Sequence, residues 1–452
     1  MRKKTLSLVV VLAALGAVAA SASSRGPAVA VPGAVKAPAK GVPLLAVVPG
    51  QRGPVLGRAD RRAVWIARRS PRLRIFNQLG SWAYAPDGSR LAIATESLAG
   101  GDDPIPTIQF IQPMLVQRLG SVKLSDGHVA AIAWGSGDRV NLVLRRWCCP
   151  ASFDVVGIDA GLRKVVQRQR ISRAIVQLQQ LGDTIVALTA PETGIGTAIL
   201  IAIDGSGSVR SATLDKILAG SDMPSEGESP DPAKMRQNIP ALALDPDDAA
   251  AFVVPAAGQV ARISLSTLAV SYHSVAEPVS LLGRLHDLVE PKAVAKGLTG
   301  PIRNARWLGE GVLAVSGGDE AVSVDAVGQM HISWTPAGLR LIDTSTWGSK
   351  LIDRGADFFT VERDSLLATG STWTTDGGQR GMGFAAYGFD GARRLAVLRG
   401  SSVALALVFR GRAYLGYDLR KRTKVVDLGT GRLLKDRRAP LAQLLIGEGA
   451  AN

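Results

Sequence analysis

A chain of 452 residues that is 46% hydrophobic, with a mean hydropathy of +0.16, is too apolar to be disordered, and its 50 Gly and 24 Pro require many tight turns. The formal charge of +15 falls to +12 once the three cations of the first four residues are set aside. The remaining basic residues are scattered with no aromatic-rich basic motif, which excludes a nucleic-acid reader and leaves either attraction to anionic polymers and lipid head groups or simple solubility.

The N-terminus has the order of a secretory signal: Arg2, Lys3 and Lys4, then apolar residues from Leu6 to Ala19, then the small residues Ala20, Ser21 and Ala22. The apolar run is shorter than the roughly 20 residues of a spanning helix. No cysteine lies near the cleavage position to carry a lipid. Residues 1–22 are therefore expected to be removed and the rest to be secreted or held in the cell envelope, with no transmembrane segment in the mature chain. Residues 23–43, rich in Ala, Pro, Gly and Val, have no periodicity to bury and read as a tether.

From Leu44 onward the pattern is short apolar runs broken by polar turns. The stretch SWAYAPDGSRLAIAT (Ser81 to Thr95) returns in weaker form as AIAWGSGDRVNLVL, IVQLQQLGDTIVALT and ALALDPDDAAAFVV, then as NARWLGEGVLAVS, FFTVERDSLLATG and LALVFRGRAYLGY. Between these seven copies lies a second kind of hairpin, such as FDVVGIDAGLRKVVQ, VARISLSTLAVSYHSV and GLRLIDTSTWGSKLID. Two hairpins make a four-stranded unit. A unit of this length, repeated, predicts an all-β fold, a β-propeller of four-stranded blades, because one such sheet cannot bury both faces and stacking around an axis covers them.

The segment YAPDGSRLAIAT resembles the core of the YVTN and WD40-like (PD40) propeller repeats of exported bacterial proteins. The likeness spans Leu44 to Gly447 as a repeat pattern, with the Pro-Asp-Gly turn clean only in the first copy. It implies fold far more than function, since propellers host binding, scaffolding and several chemistries.

The domain is expected to run over 44–449. PLLAVV, PVLGRAD and AVWIARR at its start and PLAQLLIGE (Pro440 to Glu448) at its end could form one split closing blade, giving seven or eight blades. Two inserts interrupt the rhythm: 219–238, without apolar periodicity and read as a surface loop, and 279–297. The second contains VSLLGRLHDLVE, whose Leu281, Leu282, Leu285, Leu288 and Val289 form one helical stripe suited to packing on the propeller.

No catalytic signature and no metal set emerges, no cofactor is predicted, and the cofactor-binding residues are unknown. His128, His273, His286 and His331 share no ligand spacing. The Asp-rich pieces GGDDP (Gly100 to Pro104) and DGSGS (Asp204 to Ser208) lack the closing acid of a calcium loop, and turn chemistry accounts for them. The two cysteines are adjacent, Cys148 and Cys149, and in an oxidising compartment are candidates for a vicinal disulfide stapling their loop. Free or partner-linked thiols and a cofactor contact of the quinoprotein kind are the alternatives. The quinoprotein docking pattern, roughly D..TG…W, is approached only by VVDLGTGRLL, where Leu434 stands in place of Trp. The sequence thus points to an exported binding or protein-interaction module with a protein or envelope polymer as partner. A calcium-dependent lactonase-like or degenerate quinoprotein enzyme and a structural envelope protein are the alternatives.

Overall fold

Each of the seven copies of the strand, turn, strand pattern is a hairpin. The computed structural model describes residues 29–30, 44–48, 55–59, 63–65, 82–97, 105–125, 127–146, 151–222, 236–276, 298–324, 330–374, 378–409, 411–417, 422–437 and 443–445. Among the described residues every regular element is a β-strand. Residues 1–22, most of residues 23–43, Gly100 to Asp103, Cys148, Cys149, His286 and the expected helix lie outside them.

The first strands are β1 (Val29–Ala30), β2 (Leu44–Val48), β3 (Val55–Ala59) and β4 (Ala63–Trp65). The antiparallel sheet that follows is β5 (Trp82–Tyr84), β6 (Leu91–Ser97), β7 (Ile105–Gln112) and β8 (Gln117–Lys123) in spatial order. Next come β9 (His128–Trp134), β10 (Arg139–Arg145), β11 (Phe153–Asp159) and β12 (Lys164–Ile171). The third such sheet is β13 (Ala174–Leu181), β14 (Thr184–Ala190), β15 (Gly194–Ile203) and β16 (Val209–Asp222), with β17 (Arg236–Asn238) added at its edge. The fourth is β18 (Ala241–Asp245), β19 (Ala250–Val254), β20 (Gln259–Ser264) and β21 (Val270–Ser274).

Two further units share one sheet. The first is β22 (Leu298–Gly309), β23 (Val312–Val324), β25 (Leu339–Asp343) and β26 (Gly348–Asp353), with β24 (Met330–Pro336) prolonging the β23 hairpin. The second is β27 (Phe358–Glu362), β28 (Ser365–Trp373), β29 (Gln379–Gly388) and β30 (Arg393–Val397), joined to β24 through the Trp334 to Trp373 pair. Last are β31 (Val403–Phe409), β32 (Arg412–Tyr417), β33 (Arg422–Asp427) and β34 (Leu433–Arg437), and then β35 (Gln443–Leu445). β35 lies antiparallel beside β2, placing Leu45 opposite Leu445, so the two ends of the chain share one sheet with β3, β4 and β1.

Strand geometry sends successive side chains to opposite faces, so a buried strand serves two neighbours at once. In β10, Val140, Leu142 and Leu144 pack toward the sheet before, while Val143 packs toward the sheet after. In β14, Ile185 and Ala187 look back and Val186, Leu188 and Ala190 look forward. In β19, Ala251 and Val253 look back and Phe252 and Val254 look forward. The apolar clusters therefore each bridge one pair of consecutive units, from β5–β8 through β31–β34. The first strands of successive units, β5, β9, β13, β18 and β22, are neighbours in turn, and a fourth strand such as β12 is largely exposed. First strands gather at the centre and fourth strands form the perimeter. This is the packing of a β-propeller.

The turn of the first copy shows why its residues recur. Asp87 accepts bonds from the Ser89 N–H (2.9 Å) and hydroxyl (2.8 Å), and Gly88 sits at φ +69°, where a residue without Cβ carries no steric cost. Two differences from the sequence reading stand out. The insert at 219–238 is not a loop at its ends: Gly220, Ser221 and Asp222 extend β16 and pair with Asn238, Gln237 and Arg236. The pairing there is backbone to backbone at an edge, which needs no apolar alternation. Val29 and Ala30, within the stretch read as a tether, pair with Val64 and Ala63.

Candidate functional site

Between the β18–β21 sheet and the β22–β26 unit lies a cleft of about 290 Å³ walled by aromatic rings. On one side the register aligns Phe252 with Arg262 and Arg262 with Ser271 across three strands. Residues two apart in a strand share a face, so His273 joins that row. On the other side Trp307 comes from β22 and Trp347 from the β25–β26 turn. Phe252 and Trp307 stack with centroids 5.3 Å apart and planes 7° from parallel. Trp347 lies 6.4 Å from Phe252 at 54° and stacks on His273 at 4.0 Å.

Trp347 owes its place to a turn that the chain repeats. In β25–β26 the Trp347 N–H donates to the Asp343 carbonyl (2.7 Å), and the Asp343 carboxylate accepts from the Ser345 N–H (2.8 Å) and hydroxyl (2.6 Å). Leu268 closes on Ser264, and Gly431 on Asp427, in the same way. All three closing residues are left-handed, with φ of +60° at Leu268, +67° at Gly431 and +56° at Trp347. Gly meets this requirement without strain, whereas a side chain adds of the order of 1–2 kcal/mol. A tryptophan there is a backbone outlier whose ring is spent on the cleft.

Polar groups rim the aromatic walls. Arg262 pairs with Asp248 at 2.8 Å, with both side chains well exposed. Such a pair contributes little to stability and is free to exchange partners. Ser271 Oγ lies 2.9 Å from His273 Nε2. Burial, and secondly repulsion from Arg262, hold the His273 imidazole below its ordinary pKa, favouring the neutral ring. Trp307 Nε1 is buried with no acceptor. A buried N–H left unpaired costs about 1–3 kcal/mol, which an acceptor delivered by a ligand would recover.

Of the residues singled out in the sequence, the structure places His273 in this cleft. His128 and His331 lie on β9 and β24, away from it. Among the described residues no three His, Cys, Asp or Glu side chains gather as a metal set. Asp204 is a turn residue: its Oδ1 accepts from the Ser206 N–H (2.9 Å) and the Ser208 N–H (3.0 Å). Phe252, Arg262, Trp307 and Trp347 were not legible as a site. The one available signal was Trp347 itself, which occupies the closing position that Gly431 fills in the last such hairpin.

The fold and cleft together define a β-propeller with an aromatic cleft between adjacent blades. No family model matches the chain, and no curated protein matches it. Among solved structures it is similar to BamB from Moraxella catarrhalis, with 12% identity, 78% of this chain and 97% of that one covered, and a TM-score of 0.38. It is also similar to a candidate 6-phosphogluconolactonase from Bacteroides uniformis (9% identity, 89% and 99% covered, TM-score 0.40). A third is the β-propeller domain of Swd1 from Myceliophteria thermophila (8% identity, 80% and 86% covered, TM-score 0.35). Among the described residues no helix is long and apolar enough to cross a membrane.

Proposed function

We propose that this chain is an exported propeller that works as a protein-interaction module, and that the cleft between Phe252, Trp307 and Trp347 takes one side chain of a partner. The reading is supported above all by the three rings that line one cleft, with Trp347 held in a left-handed turn and Trp307 Nε1 buried without a partner. A volume of about 290 Å³ lies at the small end of ligand pockets, the size of a single anchoring group rather than an extended cofactor. A peptide supplies the matching chemistry: an apolar side chain for the rings, a main-chain carbonyl for Trp307, and amide groups for Asp248 and Arg262. Interfaces characteristically depend on a few such buried aromatic anchors. Export rests on the order of charge, apolar run and small residues in 1–22, and the net charge of +12 favours acidic partners.

Panning a random peptide library on the immobilised mature chain tests the proposal. Enriched peptides are expected to share one large apolar residue with polar neighbours and to lose at least about tenfold in affinity to Trp347→Gly, the scale of one lost anchor. Enrichment of peptides that bind Trp347→Gly and Trp307→Phe as tightly as the parent would overturn it.

A further inference from the structure

At the perimeter of the β9–β12 sheet, far along the chain from the cleft, three arginines converge on one carboxylate. Asp154 stands in β11 opposite Arg170 of β12, and its side chain is 1% exposed. Its Oδ2 accepts from Arg168 Nε (2.8 Å) and Nη2 (2.5 Å) and from Arg146 Nη2 (3.1 Å), and its Oδ1 accepts from Arg170 Nε (3.2 Å). Arg168 Nη1 also donates to Ser125 Oγ at 2.6 Å, which ties that guanidinium to the connection between β8 and β9.

The charges do not balance. Three cations meet one anion, and Asp154 is the only carboxylate paired with them among the described residues. A guanidinium offers five N–H donors and a carboxylate about four acceptor positions, so most of the donors are left over. Arg146 Nε is among them, buried and without a partner. The side chains are 23%, 38% and 57% exposed at Arg146, Arg168 and Arg170, a graded wall running from the buried carboxylate to solvent. A hydrophobic or neutral arrangement would fill this position at less cost than three mutually repelling guanidiniums held in fixed orientation. Planar forks preset by a buried carboxylate match the oxygens of a phosphate group, which accepts bidentate bonds from several arginines at once.

We propose that Arg146, Arg168 and Arg170, oriented by Asp154, form a binding site for a phosphate-bearing ligand on the outer edge of the β9–β12 sheet. A free phosphate and a phospholipid head group present the same chemistry. Exposed Val165 and Val166 on the same strand, with Leu162 in its turn, give the edge an apolar flank that a bilayer surface could also cover.

The test uses the mature chain, Arg170→Gln and a charge-matched control, Arg118→Gln, which removes an exposed cation on β8. Inorganic phosphate is titrated calorimetrically at constant ionic strength, and flotation is measured with phosphatidylcholine vesicles with and without phosphatidylglycerol. Arg170 is the most exposed of the three, so its loss leaves folding intact, which a melt of the variant verifies. Phosphate binding is expected in the parent and control and at least about tenfold weaker in Arg170→Gln, as for loss of a charge-assisted contact. Co-flotation only with phosphatidylglycerol vesicles, lost in Arg170→Gln, assigns the site to a lipid head group. Phosphate binding without co-flotation assigns it to a soluble ligand. Absence of both kinds of binding, or equal weakening in the two variants, overturns the site and leaves a structural ion network.

Discussion

The imidazole of His273 lies flat against the indole of Trp347, their planes 8° apart. One face of the ring is thereby closed to water, and the charge of Arg262 adds repulsion to a proton on it. The imidazole is favoured neutral in the fold, whereas in the unfolded chain it titrates near pH 6.5. The unfolded state therefore binds more protons as pH falls, and stability rises with pH across that window. We expect the melting temperature to drop as pH goes from about 7.5 to below the folded-state value of His273. His273→Gln should flatten that part of the profile. Parallel profiles for the two proteins would show that His273 does not titrate on unfolding.

Trp347 offers a separate test of backbone strain. Trp347→Gly and Trp347→Ala remove the same ring, but only Gly accepts φ of +56° without strain. The Gly variant should be the more stable of the two by about 1 kcal/mol, seen as a higher midpoint in urea with unchanged slope. Equal midpoints would mean the turn relaxes when the ring is gone.

Asp154 should be among the most sensitive polar positions in the chain. Burial pushes its carboxyl up, but hydrogen bonds from Arg168, Arg146 and Arg170 outweigh that and hold it below the usual range. Asp154→Asn leaves three guanidiniums without their anion and should cost about 3 kcal/mol or more at neutral pH. Because the folded carboxyl is depressed, its stabilisation is complete above the ordinary Asp range and disappears as pH falls through the folded-state value. The parent and variant should therefore converge in strong acid. A gap in melting temperature that persists there would point to packing rather than charge.

The pairing of Val47 with Gln443 and of Leu45 with Leu445 predicts what removing 440–448 does. That deletion strips β2 of its neighbour and exposes a sheet edge, so the melting temperature should fall by more than loss of a few surface residues explains. Removing 23–41 deletes the two-residue strand β1 and should have a much smaller effect. Equal melts for the C-terminal truncation and the chain that keeps 440–448 would show that the terminal strands do not hold the sheet together.

The fold was legible because its signal is local and repeated. All seven copies of the opening pattern became hairpins: Trp82 to Ser97 and Val403 to Tyr417 differ in nearly every residue yet keep apolar run, polar turn, apolar run. β24 was missed although HISW alternates, since it lengthens a hairpin beyond the repeat and pairs across to Trp373. The cleft was not legible for a different reason. Phe252 and Trp307 are 55 positions apart and look like ordinary core residues until stacking of adjacent sheets brings them face to face. The arginine cluster was hidden similarly, because only the register of β11 and β12 puts Asp154 opposite Arg170 and beside Arg168.

The direction in which β2 and β35 meet also governs how the chain responds to force. Their antiparallel register puts the entry of β2 at Leu44 and the exit of β35 at Leu445 at the same end of the pair. Tension applied through the two ends therefore loads the backbone bonds of this pair one after another, as in a zipper, rather than all together in shear. Pulled by its ends, the chain should part at the β2–β35 pair at low force. A protein anchored at one end and carrying its partner at the other would yield there before the stacked sheets between Trp82 and Arg437 came under strain.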